Sequence, residues 1–377
     1  MPTEYEPLID VRKDLRIKWY RSPIDKKVLW ELTQKSDRKG MFQAGGHLTI
    51  FAGTGLLSYT FFVQEWWIAC ILAVIAHGTV GTFFSGLATH ELCHGTVFRT
   101  RWLNQIFLYI YSILGWFNFH NYNYSHTYHH LYTLHPRGDR EVVLPRPACL
   151  KWTYLLQLFT FTISGGPEVS GMIPVIKQRL KDAMGQYPDE WIGAVFESHG
   201  RDHRKARNLA RLILLFHLGV WVVSIYFQLW LLPILLSFHL FIGGWLKYFV
   251  GLPMHCGLRS NVPDFRKCVR TITLDPLSEF LYWHMNWHTE HHMYAGVPCY
   301  NLKKLHEAIA HDMPQPKNVF GAWREMRETW RRQQEDPSYE YDTPVPPPTD
   351  RKLVEEDDKL AAAIGDLAPK SLRGFNS

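Results

Sequence analysis

The sequence predicts an all-α integral membrane protein with four transmembrane helices in two hairpins and additional helices at the membrane interface. Aromatic residues make up 15% of the 377 residues, and long apolar runs are concentrated in the first two thirds of the chain. Runs of this length and number are typical of a multi-pass membrane protein. Three short histidine clusters between or after these runs further require that the chain returns repeatedly to one side of the membrane.

Six apolar runs define the predicted topology. A spanning helix needs about 20 residues, so the third and fourth runs, which are short, are expected to lie at the interface. The other four runs pair into hairpins that turn at Gln64–Glu65 and around Leu232–Pro233. The histidine clusters can form one site only if an even number of crossings separates them, which agrees with this arrangement. The runs are His47–Val63, Trp66–Leu87, Leu103–Phe119, Trp152–Gly166, Leu212–Leu232 and Pro233–Leu252.

The polar parts of the chain predict its orientation and its domains. Ten basic residues lie between Arg12 and Lys39, so the positive-inside rule places the histidine side in the cytosol. We divide the chain into a basic cytosolic segment (1–46), a membrane-embedded catalytic domain (47–313) and a polar C-terminal segment (314–377), expected to be disordered from about residue 337. The basic stretch Lys177–Arg211 either enforces this topology or attracts anionic headgroups or a phosphate-bearing carrier.

The three histidine clusters, H-E-L-C-H, H-T-Y-H-H and H-T-E-H-H, predict a metal site. In a helix, spacings of three and four residues put the histidines of each cluster on one face, where their imidazoles can converge. Eight imidazoles exceed the ligands that one ion accepts, so two ions are implied, and ligand type does not choose among Zn, Cu, Fe and Ni. The alternative is that these histidines bond backbone carbonyls near the membrane surface. They are His90, His94, His126, His129, His130, His288, His291 and His292.

Polar residues inside or beside the clusters are expected to hydrogen-bond the ligating rings and so to orient them. Two of them are glutamates within the clusters, two are acidic residues after the second cluster, and two come shortly before the third. Histidines elsewhere, such as His77, His217 and His239, are expected to be packed or solvated. The predicted orienting residues are Glu91, Asp139, Glu141, His284, Asn286 and Glu290.

The sequence around the clusters resembles the membrane fatty acid desaturase superfamily. The resemblance extends from about Gly81 to His306 and includes H-E-L-C-H-G-T-V-F-R-T-R-W-L-N, S-H-T-Y-H-H and W-H-M-N-W-H-T-E-H-H-M-Y-A-G-V-P-C-Y-N-L. It implies a helical fold with four membrane spans and a cytosolic di-iron centre. All eight histidines of the clusters would be ligands and catalytic, joined by His255 in P-M-H-C-G. Animal acyl-CoA desaturases of this family carry an asparagine where this chain has Gly251.

The resemblance also implies the reaction and its partners. We expect two iron ions, O2 as co-substrate, a lipid or acyl substrate, and an external electron donor, either a ferredoxin or a b-type cytochrome with its reductase. Nucleic acid is not expected as a partner. Desaturation of a fatty acyl chain is favoured, with a hydroxylase, ketolase or decarboxylase of a fatty acid, alkane or terpenoid as the alternative. A zinc-dependent membrane hydrolase or isomerase and a metal transporter are two further classes. The membrane would be the endoplasmic reticulum in a eukaryote or the inner membrane in a bacterium.

Overall fold

The computed structural model describes residues 6–144, 147–166, 169–198, 200 and 202–347. This part of the chain is predominantly helical, as the sequence predicts. Its two strands, β1 (Ile272–Thr273) and β2 (Lys317–Asn318), are short and pair in parallel. His199 and residues 348–377 lie outside the described residues.

Three helices in the described residues are long and apolar enough to cross a membrane, namely Asp37–Val63, Trp67–Cys93 and Arg204–Phe227. The first two contain π-turns and pack against each other as a hairpin that turns at Gln64 and Glu65, as predicted. The first helix begins ten residues before the apolar run that predicts it. In chain order the segments are α3 (Asp37–Gly40), α4 (Gly46–Val63), α5 (Trp67–Thr82) and α6 (Thr89–Cys93), followed later by α12 (Arg204–Phe227).

The run Pro233–Leu252, predicted to be the fourth spanning helix, is instead broken. It forms a π-turn (Ile234–Phe238), a 3-10 turn (His239–Phe241), helix α13 (Trp245–Gly251) and a second 3-10 turn (Leu252–Met254). The break lies at Gly243, where φ is +64°, and it follows from close packing against α5. A side chain on Gly78 would approach the carbonyl oxygen of Ile242 to 2.4 Å. The carbonyl of Gly243 accepts a hydrogen bond from Thr79 Oγ1, so the broken backbone stays satisfied.

The third and fourth runs form helices too short to span a membrane, α7 (Arg101–Leu114) and α9 (Trp152–Phe159). The prediction that neither run crosses agrees with these lengths, while their position at an interface stays a prediction. Other helices between the hairpins are α8 (Phe119–Tyr132), α10 (Met172–Ala183) and α11 (Glu190–Ser198).

The N-terminal and C-terminal segments pack together into a cap. Trp19 stacks on Phe265 with a centroid distance of 4.0 Å, and Tyr294 donates a hydrogen bond to the carbonyl of Ser22. Tyr341 pairs with Leu258, and the disorder expected from about residue 337 stays a prediction. The cap helices are α1 (Leu8–Asp14), α2 (Lys26–Leu32), α14 (Phe265–Cys268), α15 (Pro276–Leu281), α16 (His288–Met293), α17 (Leu302–Ile309) and α18 (Val319–Gln333).

Candidate metal centre

A kink at the end of the second long helix positions the first histidine cluster. Ser85 is extended (ψ 120°) and Gly86 has φ +80°, so the helix stops and restarts as α6. The hydroxyl of Thr89 accepts the Gly86 N–H, and Lys247 Nζ donates to the Ser85 carbonyl at 2.7 Å. These contacts satisfy backbone groups that the kink frees. His90 thereby lies on a new helical turn that points into the cap.

The other two clusters lie on α8 and α16, so all three are helical as predicted, with His94 directly after α6. The chain enters α16 through two consecutive left-handed residues, Trp283 (φ 55°) and His284 (φ 58°). Such residues cost about 1–3 kcal/mol each and persist where packing enforces them. Here Trp283 is fully buried and donates its indole N–H to His47 Nδ1 of the first long helix at 2.9 Å.

Nine histidines assemble into two groups whose candidate ligand atoms lie within 4.8 Å of one another in each group. Eight of the nine are buried and His130 is half-buried. The second and third clusters each contribute to both groups. Group 1 is His90, His94, His126, His130 and His291, and group 2 is His129, His255, His288 and His292.

Within the groups, Nε2 atoms of different rings face each other at hydrogen-bond distance. His90 Nε2 is 2.9 Å from His94 Nε2 and 3.0 Å from His291 Nε2. In group 2, His255 Nε2 is 3.0 Å from His288 Nε2. A neutral imidazole has one N–H, so a ring whose Nδ1 is the donor presents a lone pair at Nε2. Several lone pairs converging on one point fit a shared cation, and imidazole is a common ligand of iron and zinc. Each group could therefore hold one metal ion.

Hydrogen bonds on the outer side of the rings select this tautomer. His129 Nδ1 donates to Asp139 at 2.9 Å and His126 Nδ1 to Glu141 at 3.0 Å. His255 Nδ1 donates to the backbone carbonyl of Cys268 at 3.1 Å. In each of these three rings the outer acceptor fixes the proton on Nδ1 and directs Nε2 towards the group.

Two further contacts lie at the outer edge of the groups. Glu91 is fully buried and lies 3.5 Å from His291 Nδ1, close enough for an electrostatic contact. No hydrogen bond joins the two side chains in the described residues, so the orienting role of Glu91 stays a prediction. His292 Nδ1 lies 3.1 Å from the hydroxyl of Thr133, and the sequence analysis did not single out that threonine.

Three predicted orienting residues contact other partners than the clustered histidines. Glu290 bonds His306 and Thr271, because its position on α16 points away from the two groups. His284 bonds Glu279, since its left-handed backbone turns its ring outwards. Asn286 donates its amide to the Ile272 carbonyl. None of these contacts reaches a clustered histidine, so the orienting role expected of Glu290, His284 and Asn286 stays a prediction.

Burial keeps the clustered histidines of the cap neutral. Desolvation, with the neighbouring imidazoles as a second cause, lowers the pKa of His288 to about 3. The same causes hold the pKa of His126, His130, His291 and His292 well below the ordinary value. Metal binding requires the neutral ring, so these side chains are ready to bind at pH 7.

Three histidines outside the clusters are buried among the apolar segments and bond backbone carbonyls there. His77 bonds the Leu235 carbonyl, His217 that of Ile113, and His239 that of Leu114.

The contacts that could not be predicted from the sequence are those from backbone and hydroxyl groups to the clustered histidines, above all the Cys268 carbonyl. A carbonyl group carries no sequence signal, and Thr133 follows the second cluster at a spacing without special meaning.

Comparison with known families adds one finding. The family model described as "Fatty acid desaturase" matches residues 65–323. This range contains all nine histidines of the two groups. Among curated proteins, none matches the chain.

Proposed function

The chain belongs to the fatty acid desaturase family, and on that premise we propose that it is a membrane-bound di-iron oxidoreductase that uses O2 to introduce a double bond into a fatty acyl chain. The observation that carries the proposal is the pair of buried histidine groups. A zinc hydrolase would need fewer histidines and a carboxylate close to the metal. In this chain the nearest carboxylates contact the outer nitrogens of the rings instead.

We propose the five histidines of group 1 and the four of group 2 as ligands of one iron ion each. Bound iron would supply the activation of dioxygen that removal of hydrogen from an unactivated alkyl chain requires. The protein holds the imidazoles in place through Asp139, Glu141 and the Cys268 carbonyl. It also excludes bulk water, since eight of the nine rings are buried.

We further propose four membrane passes with both histidine groups on the cytosolic side. The three long helices supply three passes, and the broken segment Pro233–Leu252 supplies the fourth. It packs along α5 and α12 and leads back to His255. The sequence contains no haem or flavin motif, so electrons would arrive from a ferredoxin or a b-type cytochrome with its reductase. The boundaries 1–46, 47–313 and 314–377 remain our proposed division of the chain.

Expression in a host that supplies its own reductase tests this function. Mass analysis of the cellular lipids should reveal an acyl chain with one additional double bond, absent from cells that lack the protein. A product with one additional oxygen would identify a hydroxylase and exclude desaturation as the main outcome. No new lipid together with zinc in place of iron in the purified protein would contradict the oxidoreductase assignment itself.

The ninth proposed ligand offers a sharper test. His255→Ala removes one of four nitrogen donors from group 2, and we expect it to abolish turnover and to lower the iron content. His217→Ala is the control, because His217 bonds Ser237 and a backbone carbonyl away from both groups. Wild-type iron content and rate in His255→Ala would show that this histidine is not a ligand.

A further inference from the structure

The loop that carries His255 is held by a buried ion pair that includes the C-terminal helix α18. Unlike the other eight histidines, His255 follows a 3-10 turn and does not belong to a clustered helix. We propose that Arg270 and Glu325 form a clamp that positions His255 for metal binding. This inference rests on the proposed function, because it concerns the fourth nitrogen of group 2.

Arg270 contacts the backbone on both sides of His255. Its guanidinium donates to the carbonyls of Pro253 and Cys256, the latter at 3.2 Å, and its backbone N–H donates to the Met254 carbonyl at 2.8 Å. Three carbonyls within two residues of His255 thus accept from Arg270, two of them from its side chain and one from its backbone. In a helix these carbonyls would be bonded by the following turn, and here Arg270 takes that role.

Glu325 holds the arginine in this position. Its carboxylate accepts from Arg270 Nη2 at 2.5 Å and from Arg270 Nε at 3.1 Å, and it also pairs with Lys317. The side chains of Arg270 and Glu325 are 8% and 7% exposed. Removal of one partner from a buried pair leaves an uncompensated charge, which is strongly unfavourable. The position of the guanidinium therefore depends on Glu325.

Further contacts from helix α18 cover the loop that carries His255. Trp323 donates its indole N–H to the Phe249 carbonyl at 2.8 Å, and Met326 packs in a cluster with Cys256. The side chain of Thr329 lies against Gly257, whose φ is +73° and whose missing side chain leaves room for it. Helix α18 is therefore the surface against which the loop folds.

The clamp acts on the metal through the orientation of one ring. His255 Nδ1 donates to the Cys268 carbonyl at 3.1 Å, two residues before Arg270, and Nε2 faces His288. Arg270 therefore links the backbone of His255 to the segment after α14, whose Cys268 carbonyl orients the ring. The match to the family model ends at residue 323, so Glu325 lies beyond the matched residues. Arg270 and Glu325 are positioning residues, since neither contacts a candidate ligand atom of group 2.

Glu325→Gln tests the clamp, with Glu328→Gln as a matched control. Glu328 lies on the same helix, but its carboxylate is about half exposed and pairs with the surface residues Arg331 and Arg332. Changes to residues that orient metal ligands typically cost 10–100-fold in affinity. In Glu325→Gln we expect one of the two irons to be released to a chelator about 10–100-fold faster. Its Mössbauer signal should be lost while that of the other iron remains. Glu328→Gln should retain both.

Arg270→Lys is the second variant, because lysine keeps the charge but cannot bond Glu325 and the loop carbonyls together. It should show the same selective loss while the protein remains folded. If either variant folds and releases both irons to the chelator at the wild-type rate, the proposed clamp is overturned. Equal loosening of both irons, or unfolding of both variants, would show a general structural role and would also overturn it. A wild-type protein with fewer than two bound metal ions would instead refute the proposed function.

Discussion

Asp139 joins the second histidine cluster to the loop behind it, and its replacement by asparagine is expected to weaken metal binding and the fold together. One carboxylate oxygen accepts from His129 Nδ1 and from the backbone N–H of Leu134, both at 2.9 Å. The other accepts from the backbone N–H groups of Glu141 and Val142 at 3.0 and 3.3 Å. The carboxylate is fully buried, and the bonds from His129 and Leu134 are closed to water.

The magnitude follows from these four donors. An asparagine amide keeps one acceptor oxygen and presents its NH2 group to the other two N–H donors. Two buried N–H groups then lose their acceptor, which costs about 1–3 kcal/mol each, or about 2–6 kcal/mol in total. If the oxygen turns to the loop, His129 also loses the bond that fixes its tautomer. We then expect a further 10–100-fold loss of affinity for the ion of group 2.

The assay is the iron content and thermal unfolding midpoint of the purified protein in detergent, before and after exposure to a chelator. Asp202→Asn is the matched control, because that carboxylate is 65% exposed and pairs with Arg204 at the surface. The control should be indistinguishable from the wild type. Asp139→Asn with wild-type iron content, chelator resistance and midpoint would refute the reasoning that outer hydrogen bonds hold the ligating rings.

Three further predictions concern metal, pH and topology. Protein made with ample iron should contain about one iron ion per histidine group, and zinc at equal or greater amount with activity following zinc would contradict this. The iron-free protein should lose stability as pH falls below about 6.5, because burial lowers the pKa of His288 to about 3 in the fold and the unfolded chain then binds the additional proton. The difference between the folded and unfolded pKa of His288 lowers the free energy of unfolding by about 2 kcal/mol between pH 6.5 and 5. A thermal midpoint that is constant over this pH range would contradict the prediction. Cysteines introduced at Arg137 and Lys303 should react with a membrane-impermeant reagent from the cytosolic side, and a cysteine at Gln64 should react from the opposite side. Labelling of the cysteines at Arg137 and Lys303 from opposite sides would contradict the proposed topology.

The histidine clusters could be predicted because their information is local. Spacings of three and four residues define one helical face regardless of the rest of the fold, so His90 and His94 were assigned together from five residues of sequence. The orienting role of Asp139 followed from chain proximity, since it lies ten residues after His129. Glu290 has the same kind of proximity to His291 but the opposite orientation. Proximity in sequence therefore predicts a neighbour but not the direction of its side chain.

The break in the fourth spanning run could not be predicted, because the hydropathy of a segment is the same whether its backbone is a continuous helix or a broken one. Pro233–Leu252 is as apolar as a spanning helix, and its glycines are compatible with either structure. The decisive contact is between Gly78 and the Ile242 carbonyl, from two segments more than 160 residues apart. The clamp of Arg270 and Glu325 escaped sequence reasoning for the same reason, because it forms only when α18 folds onto the loop of His255.

The spacing of the histidines within a cluster also explains how they divide between the two groups. In the second cluster His126 and His130 join group 1, while His129 joins group 2. On an ideal helix the residue four positions on is displaced by about 40° and the residue three positions on by about 60° in the other direction. A pair spaced by four therefore shares one ion, and the residue three positions on, which lies about 100° from the fourth in angle, reaches the other ion. The third cluster repeats this pattern with the groups exchanged, and His291 is the residue that crosses. Because each of these helices serves both groups in opposite proportion, a rotation of either helix would disturb both proposed ions at once, whereas a change confined to His255 would disturb one.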